Sequence, residues 1–502
     1  MTNLKTYINC RFWNWAFAFF LTVLTAGRLI WGLFIVIDTV DAGGDEHFEL
    51  LKGYLTSKHG YNTGVPWNDQ PPFHTLLISL LFIIFDGSLN AVRTFALFPT
   101  IFLFLWLHQG LKSIKNPICF ALACWMLVSA PSTMMLYFTT MLEVPAFCLA
   151  LIGSRLMLEP GGRSKAGVAG LLWGLAIATK LTCLLLAPAL VCCYSLTLAR
   201  VRFDYKTLKA KLQFLSVFLL AVVTVVLFMS LAFRNSDFDS LWRSHSVASN
   251  GSEARLHVFD PVKYLSSTIG IALLVSFFIP KKFNHVMSHS FFELCWFVVA
   301  FIVHCVHVPY WTYYNIHLNI PAVIIIVRSC NSVAVAIPAI ISRDSGLDRS
   351  LPSVIYAAMA LVLAVPCILP ALEQFDDLGR RKKISESRIV AEIRNGVPAN
   401  GVLFSSSDML NVVCDRTSIP YVAIRPAKRF WSGAITWENV WSTVIESKPD
   451  CIVWHSAAEL PENVRTFLHV NYTMKCEESG ETMWLAKIVQ TFLKTDQLQK
   501  DW

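Results

Sequence analysis

The chain has 502 residues, 55% of them hydrophobic and 15% charged, with a formal net charge of +8 and a mean hydropathy of +0.52. A soluble globular domain carries roughly 25% charged residues, so the composition excludes an ordinary soluble enzyme or binding module. The basic excess falls in short loops between apolar runs, which points to membrane topology and not to a nucleic-acid surface.

Runs long enough to cross a bilayer, about 20 residues each, are predicted at 14–37, 92–109, 182–199, 213–233, 264–280, 291–308, 316–341 and 351–370. Shorter or weaker ones lie at 72–86, 117–131, 144–158 and 166–179. The first run is too long for a secretory signal and lacks an obvious small-residue cleavage site, so it is expected to remain as an anchor. Basic loops face the cytoplasm: Lys112/Lys115, Arg155/Arg163/Lys165, Arg200/Arg202/Lys206/Lys209/Lys211, Lys281/Lys282 and Arg328/Arg343/Arg349. Loop 38–71 and the segments 132–143, 234–263 and 309–315 are then external, and the last span delivers the tail outside.

External loops near 41 and 143 require an even number of crossings between them, yet three candidates lie there (72–86, 92–109 and 117–131). The expectation is that one is a half-span, giving about 11 crossings in all. The alternative is about 13, with 72–86 crossing and the 316–341 run split.

The tail, 371–502, is mixed in charge. Strand-like runs "GVLFSSS" (401–407), "PYVAIRP" (420–426) and "CIVWH" (451–455) alternate with helix-like stretches such as 436–447. This pattern predicts a small soluble α/β domain after a membrane domain of residues 1–370. No P-loop or GxGxxG is present. The fourteen cysteines show no CxxC pair. Most sit in apolar runs, where they are small hydrophobes. Among Cys414, Cys451 and Cys476 a disulfide is open only in an oxidising compartment.

Polar residues collect at the external ends of the spans. "DAGGDEHFELL" (41–51) brings Asp45 and Glu46, and "WNDQPPF" (67–73) ends in two prolines that can open the next helix. "TTMLEVPAF" (139–147) places Glu143 at the start of a span, and "GLAIATKLT" (174–182) places Lys180 between apolar runs. "SLWRSHSVAS" (240–249) holds Arg243 and His245, and "PYWTYYNIHLNIP" (309–321) holds Tyr314 and His317. Each has a plainer reading. Asp41 can be a solvated flank, Lys180 can snorkel to the interface, and single histidines are more often structural than catalytic. Glu143 resists the plain reading, because an ionisable group at membrane depth is costly. Arg28, inside the first span, is expected to pair with an acid or with backbone carbonyls.

External carboxylates and cations around one membrane face suit chemistry on a lipid-borne anion. Cations hold a phosphate, and a carboxylate can take the proton of an attacking hydroxyl. A proton-coupled transporter would place its acids near the bilayer midplane, on broken helices within repeats.

In its order of motifs the chain resembles the GT-C membrane glycosyltransferases, family 39, the protein mannosyltransferase and aminoarabinose transferase group. The resemblance rests on the Asp-Glu first loop, the Pro-Pro opening, the Arg of "NAVRTFALFPT" (90–100), "MLEVPAFCLALIG" (141–153) and "GLLWGLAIATKLTCLLLAPAL" (170–190). It covers roughly residues 10–370, and the tail is similar to an external α/β domain that many bacterial members append.

The resemblance implies a GT-C fold in the bacterial inner membrane. The active site and the C-terminal domain would lie on the periplasmic side. It implies a polyprenyl-phosphate sugar donor and an acceptor protein, lipid or polysaccharide. Asp45 would be the general base with Glu46 beside it, and Glu143 the second acid, orienting the acceptor or holding Lys180 or Arg93. Arg93, Lys180, Arg243, His245, Tyr314 and His317 would line the donor pocket. The reaction implied is a single displacement at the anomeric carbon with inversion.

In one respect the chain departs from the family: Asp69-Gln70 stands where members commonly have a His before the paired prolines, and His74 follows them. Three acids could hold a divalent ion, but no ligand spacing requires one, and the reading favours none. The competing readings are a transporter or flippase of lipid-linked saccharides, and a structural subunit of an envelope-polymer assembly.

Overall fold

The computed structural model describes residues 2–43, 45–112, 114, 116–131, 133–199, 205–233, 256–278, 290–345, 351–455, 460–478 and 480–487. Over these the chain forms two compact units. One comprises Met1–Phe34, Ala96–Leu227 and Arg255–Gly379; the other comprises Ile35–Phe95, Phe228–Ala254 and Arg380–Trp502.

The first unit is a bundle of apolar helices, and six helices among the described residues are long and apolar enough to cross a membrane. Helix Pro117–Ser129 opens on a proline, whose missing N–H is not needed there, and the Asn116 side chain accepts the Ile118 N–H at 3.0 Å. It is apolar on every side and buried along nearly its whole length, as a central helix must be. The span Thr312–Val333 is likewise central, 78% buried, whereas Lys206–Ala232 is 11% buried and turns Leu220, Leu227 and Phe228 outward. Lipid is the solvent for such a face. Helix Ile316–Ser345 is unbroken, so the alternative that splits this run does not hold. It contains no glycine, and its mid-helix charge is absorbed laterally: Arg328 donates to Glu293 at 3.0 Å and to Ser290 at 3.2 Å.

The second unit joins the first loop to the tail in one hydrophobic core. Leu50, Leu51, Tyr54 and Leu55 of helix Glu46–His59 share it with Leu81 and Phe82 of helix Pro72–Ile84, and with Leu410, Val413 and Ile419 of the tail. The tail carries a four-stranded sheet in the order β1-β2-β4-β3. Strand β1 (Leu403–Ser405) runs parallel to β2 (Cys451–His455), with Leu403 opposite Cys451. Strand β3 (Tyr472–Glu478) and β4 (Glu481–Ala486) form a hairpin turned at Gly480, whose φ of +81° suits glycine, and β4 lies antiparallel to β2. Helix Trp437–Ser447 starts at a capping box between Thr436 and Asn439.

The run 420–426, expected as a strand, is instead a helical turn, Pro420–Ala423. Pro420 cannot donate to a sheet ladder but fits the first helical position. The three tail cysteines are buried and unbonded.

Helix Pro72–Ile84 starts and finishes inside the second unit. Just before it, Asp69 lies 3.6 Å from the Lys428 ammonium of the tail. Just after it, Asp86 and Gly87 both take positive φ, the Gly87 N–H returns to the Phe82 carbonyl at 2.8 Å, and the turn lies against Asp415. At 13 residues the helix is about 20 Å long, short of the roughly 30 Å hydrocarbon core of a bilayer.

Candidate active site

In the second unit, Asp45 stands at the N-terminal end of helix Glu46–His59, partly exposed, with its carbonyl accepting the Glu49 N–H at 3.2 Å. Glu46 and Glu49 in the first turn complement the positive end of the helix dipole. Glu46 is fully buried and accepts from Arg93 at 3.0 Å, and Arg93 is fully buried too. The other terminal nitrogen of Arg93 donates to the carbonyls of Val36 at 2.6 Å and Thr39 at 2.7 Å. These belong to the last turn of the first helix and the residues just past it, so a cation there is also favoured by the dipole. Arg93 and Glu46, both expected at the reacting centre, thus form an inward clamp, while Asp45 beside them keeps solvent contact.

Asp69, two residues before the paired prolines, is an anchor. It accepts from the Lys52 ammonium at 3.1 Å, and Lys52 donates to Glu49 at 2.8 Å with both side chains 1% exposed. Lys428 completes the cluster on Asp69. Burial alone would lower the Lys52 ammonium, but the Glu49 and Asp69 carboxylates overcome it and hold its pKa above the ordinary value. Lys52 and Lys428 were missed in the sequence. The local signal was Glu49 three residues before Lys52 in "ELLK", which reads as one exposed helical pair among many.

In the first unit, Glu143 begins helix Glu143–Leu158 and is fully buried. Its Oε1 accepts from the Lys180 ammonium, and its Oε2 has no hydrogen-bond partner among the described residues. Lys180 follows helix Arg163–Ile177 in an extended conformation and is 2% exposed, so it does not snorkel. Its ammonium lies 5.5 Å from the ring centres of Tyr313 and Tyr314. Such cation–π contacts contribute about 2 kcal/mol when desolvated.

The Tyr314 ring stacks on His317 with centroids 5.5 Å apart, and Phe147, one turn beyond Glu143, covers His317 at 4.9 Å. The Nδ1 of His317 meets Nε2 of His304 at 3.1 Å. The structure therefore brings Glu143, Lys180, Tyr314 and His317 together in one buried polar cluster. It adds Tyr313, Phe147 and His304, which the sequence does not single out.

Arg28 corrects an expectation. It pairs with neither an acid nor a backbone carbonyl in its described contacts. It donates to the Ser129 hydroxyl at 2.8 Å and the Met134 sulfur at 3.3 Å, between the rings of Trp125 at 5.3 Å and Phe375 at 5.2 Å. Aromatic faces replace the carboxylate as its counter-charge. Arg243 and His245 lie outside the described residues. Among the described residues no three His, Cys, Asp or Glu side chains gather as a metal site.

Among solved structures, ArnT from Cupriavidus metallidurans in the apo state aligns with a TM-score of 0.60 at 15% identity, covering 92% of this chain and 97% of that one. The same protein bound to undecaprenyl phosphate aligns with a TM-score of 0.59 at 14% identity, over the same shares. The chain has the GT-C fold of ArnT. It is a multi-pass membrane protein of that architecture, with the small sheet in its C-terminal region. No family model matches the chain, and no curated protein matches it, so the likeness to ArnT, an aminoarabinose transferase, is one of fold.

Proposed function

We propose that this chain is a glycosyltransferase of the bacterial inner membrane that moves a sugar from a polyprenyl-phosphate donor to an acceptor hydroxyl on the periplasmic side. The observation that carries the reading is the Lys180 ammonium, buried under Tyr313 and Tyr314 with Glu143 as its counter-ion, in a chain with the fold of a protein captured with undecaprenyl phosphate. A desolvated ammonium is a strong partner for a phosphate.

In this reading residues 1–370 are the catalytic membrane domain and 371–502 an extracytoplasmic α/β domain. Lys180, Tyr314 and His317 receive the donor phosphate, with Arg243 and His245 contributing to its pocket. Asp45, a partly exposed residue, takes the proton of the acceptor hydroxyl as its oxygen attacks the anomeric carbon. The bond from that carbon to the phosphate oxygen breaks, and polyprenyl phosphate leaves with the electron pair. Glu143 holds Lys180 in place, and Glu46 with Arg93 fixes the segment that carries Asp45.

The test is a single-turnover assay with a panel of polyprenyl-phosphate sugars, wild type beside Asp45→Asn, following release of free polyprenyl phosphate. Release by wild type alone is the expected result. Binding of a donor without cleavage would replace this reading with a transporter or flippase.

A further inference from the structure

Helices Arg163–Ile177 and Tyr205–Ala232 approach most closely along two glycines. A side chain on Gly170 would strike the Phe218 carbonyl, and one on Gly174 would come within 2.7 Å of the Val225 Cβ. Toward the helix starts the fit loosens, and a Cβ on Gly167 would meet Val217 only at 3.8 Å. Beside it, between the two helices, lies an open groove of about 490 Å³. Arg163, Lys209 and Gln213 supply its polar lining, and Leu208, Leu212 and Val217 its apolar lining. Arg163 donates to the Gln213 Oε1 at 2.8 Å, which fixes the guanidinium across the mouth, and Lys209 makes no ion pair among the described residues. From Lys209 to Val217 the helix climbs about 12 Å, from the charged end into the apolar part of a membrane span.

We propose that this groove binds the headgroup of an anionic phospholipid, its phosphate between Arg163 and Lys209 and an acyl chain along Leu212 and Val217. The lining changes from cationic to apolar along one helical stripe, and the ligand that matches it changes from anionic to hydrocarbon over the same rise. Basic pockets between spanning helices take anionic headgroups for this reason. A soluble anion would use the cations and leave the leucine and valine wall bare to lipid. The site is separate from Lys180 and Glu143 and does not depend on the proposed reaction.

The test is native mass spectrometry of the full chain released from detergent, titrated with phosphatidylglycerol, with phosphatidylcholine and with inorganic phosphate. The expected result is retention of phosphatidylglycerol about tenfold over phosphatidylcholine, and none of phosphate. Arg163→Gln with Lys209→Gln should abolish that preference. Leu212→Trp should abolish binding by filling the groove with the charges intact, which keeps the test decisive if the double variant does not fold. Lys206→Gln, outside the lining, should bind as wild type does. Equal retention of the two lipids, or undiminished binding in the Leu212→Trp protein, would overturn the proposal, and phosphate binding alone would replace a lipid site with an ion site.

Discussion

Arg93 and Glu46 meet at 3.0 Å with neither side chain exposed to solvent, and the same guanidinium closes on the carbonyls of Val36 and Thr39. Removing one member of a buried pair strands the other and costs about 3–5 kcal/mol. Arg93→Met should therefore lower the thermal midpoint of the detergent-solubilised protein strongly. Glu46→Gln, which retains an acceptor for the same donor, should lower it much less. Equal losses in the two variants would mean that the clamp depends on the carboxylate charge and not only on an acceptor.

Lys180 is buried and paired with Glu143 in the first unit. Its replacement by Met leaves Glu143 buried without its donor and removes the group assigned to the phosphate. A loss of about 2–5 kcal/mol in polyprenyl-phosphate affinity is expected, read by titration with a fluorescent lipid phosphate. Lys180→Arg should recover part of it. Unaltered affinity in Lys180→Met would remove the phosphate from this position.

The tail carries a pH-dependent staple. Partial burial alone would raise the Glu478 carboxyl. The Arg388 N–H, the Lys382 ammonium, the Ser387 hydroxyl and the Ile389 N–H overcome that and hold it at about 2. The bonds to Arg388 at 2.9 Å and Ser387 at 2.9 Å sit at the start of helix Arg388–Gly396, where a negative charge is favoured. A depressed carboxyl contributes stability that is complete above its unfolded value, near 4.5, and is lost as the pH falls toward about 2. Limited proteolysis of the tail should accelerate over that window in the wild type. Glu478→Gln should cut faster at neutral pH and show a flatter acid response.

Helix Pro72–Ile84 supplies a topological prediction. Thr63→Cys and Ser88→Cys, on either side of it, should both react with a membrane-impermeant maleimide from one face of sealed vesicles. Lys112→Cys, beyond the following span, should react only from the other. Labelling of the first two from opposite faces would restore 72–86 as a crossing.

Much of this was legible in the sequence, because hydropathy marks membrane helices directly. The runs at 14–37, 117–131, 182–199 and 291–308 all correspond to helices. Glu143 and Lys180 were legible because a charge between apolar runs has few places to go. Residues 420–426 were not, because a short β-branched run between two prolines has no period long enough to separate strand from turn. The His304 partner of His317 was hidden in "FIVHCV", where a single polar letter carries no direction. Lys52, Asp69 and Lys428 were hidden for a different reason. Their bonding joins positions far apart in the chain, and charge patterning reads only neighbours.

The shared core of the first loop and the tail has a consequence for biosynthesis. The loop is made early, directly after the first helix, and Leu50, Tyr54 and Phe82 can meet one another at once, but their core is completed only when Leu410, Val413 and Ile419 have been translated and join them. For the time in which every intervening helix is inserted, the ribosome is extending a protein whose earliest loop exposes an unfinished apolar surface. A chain that terminates before the tail would keep that surface uncovered.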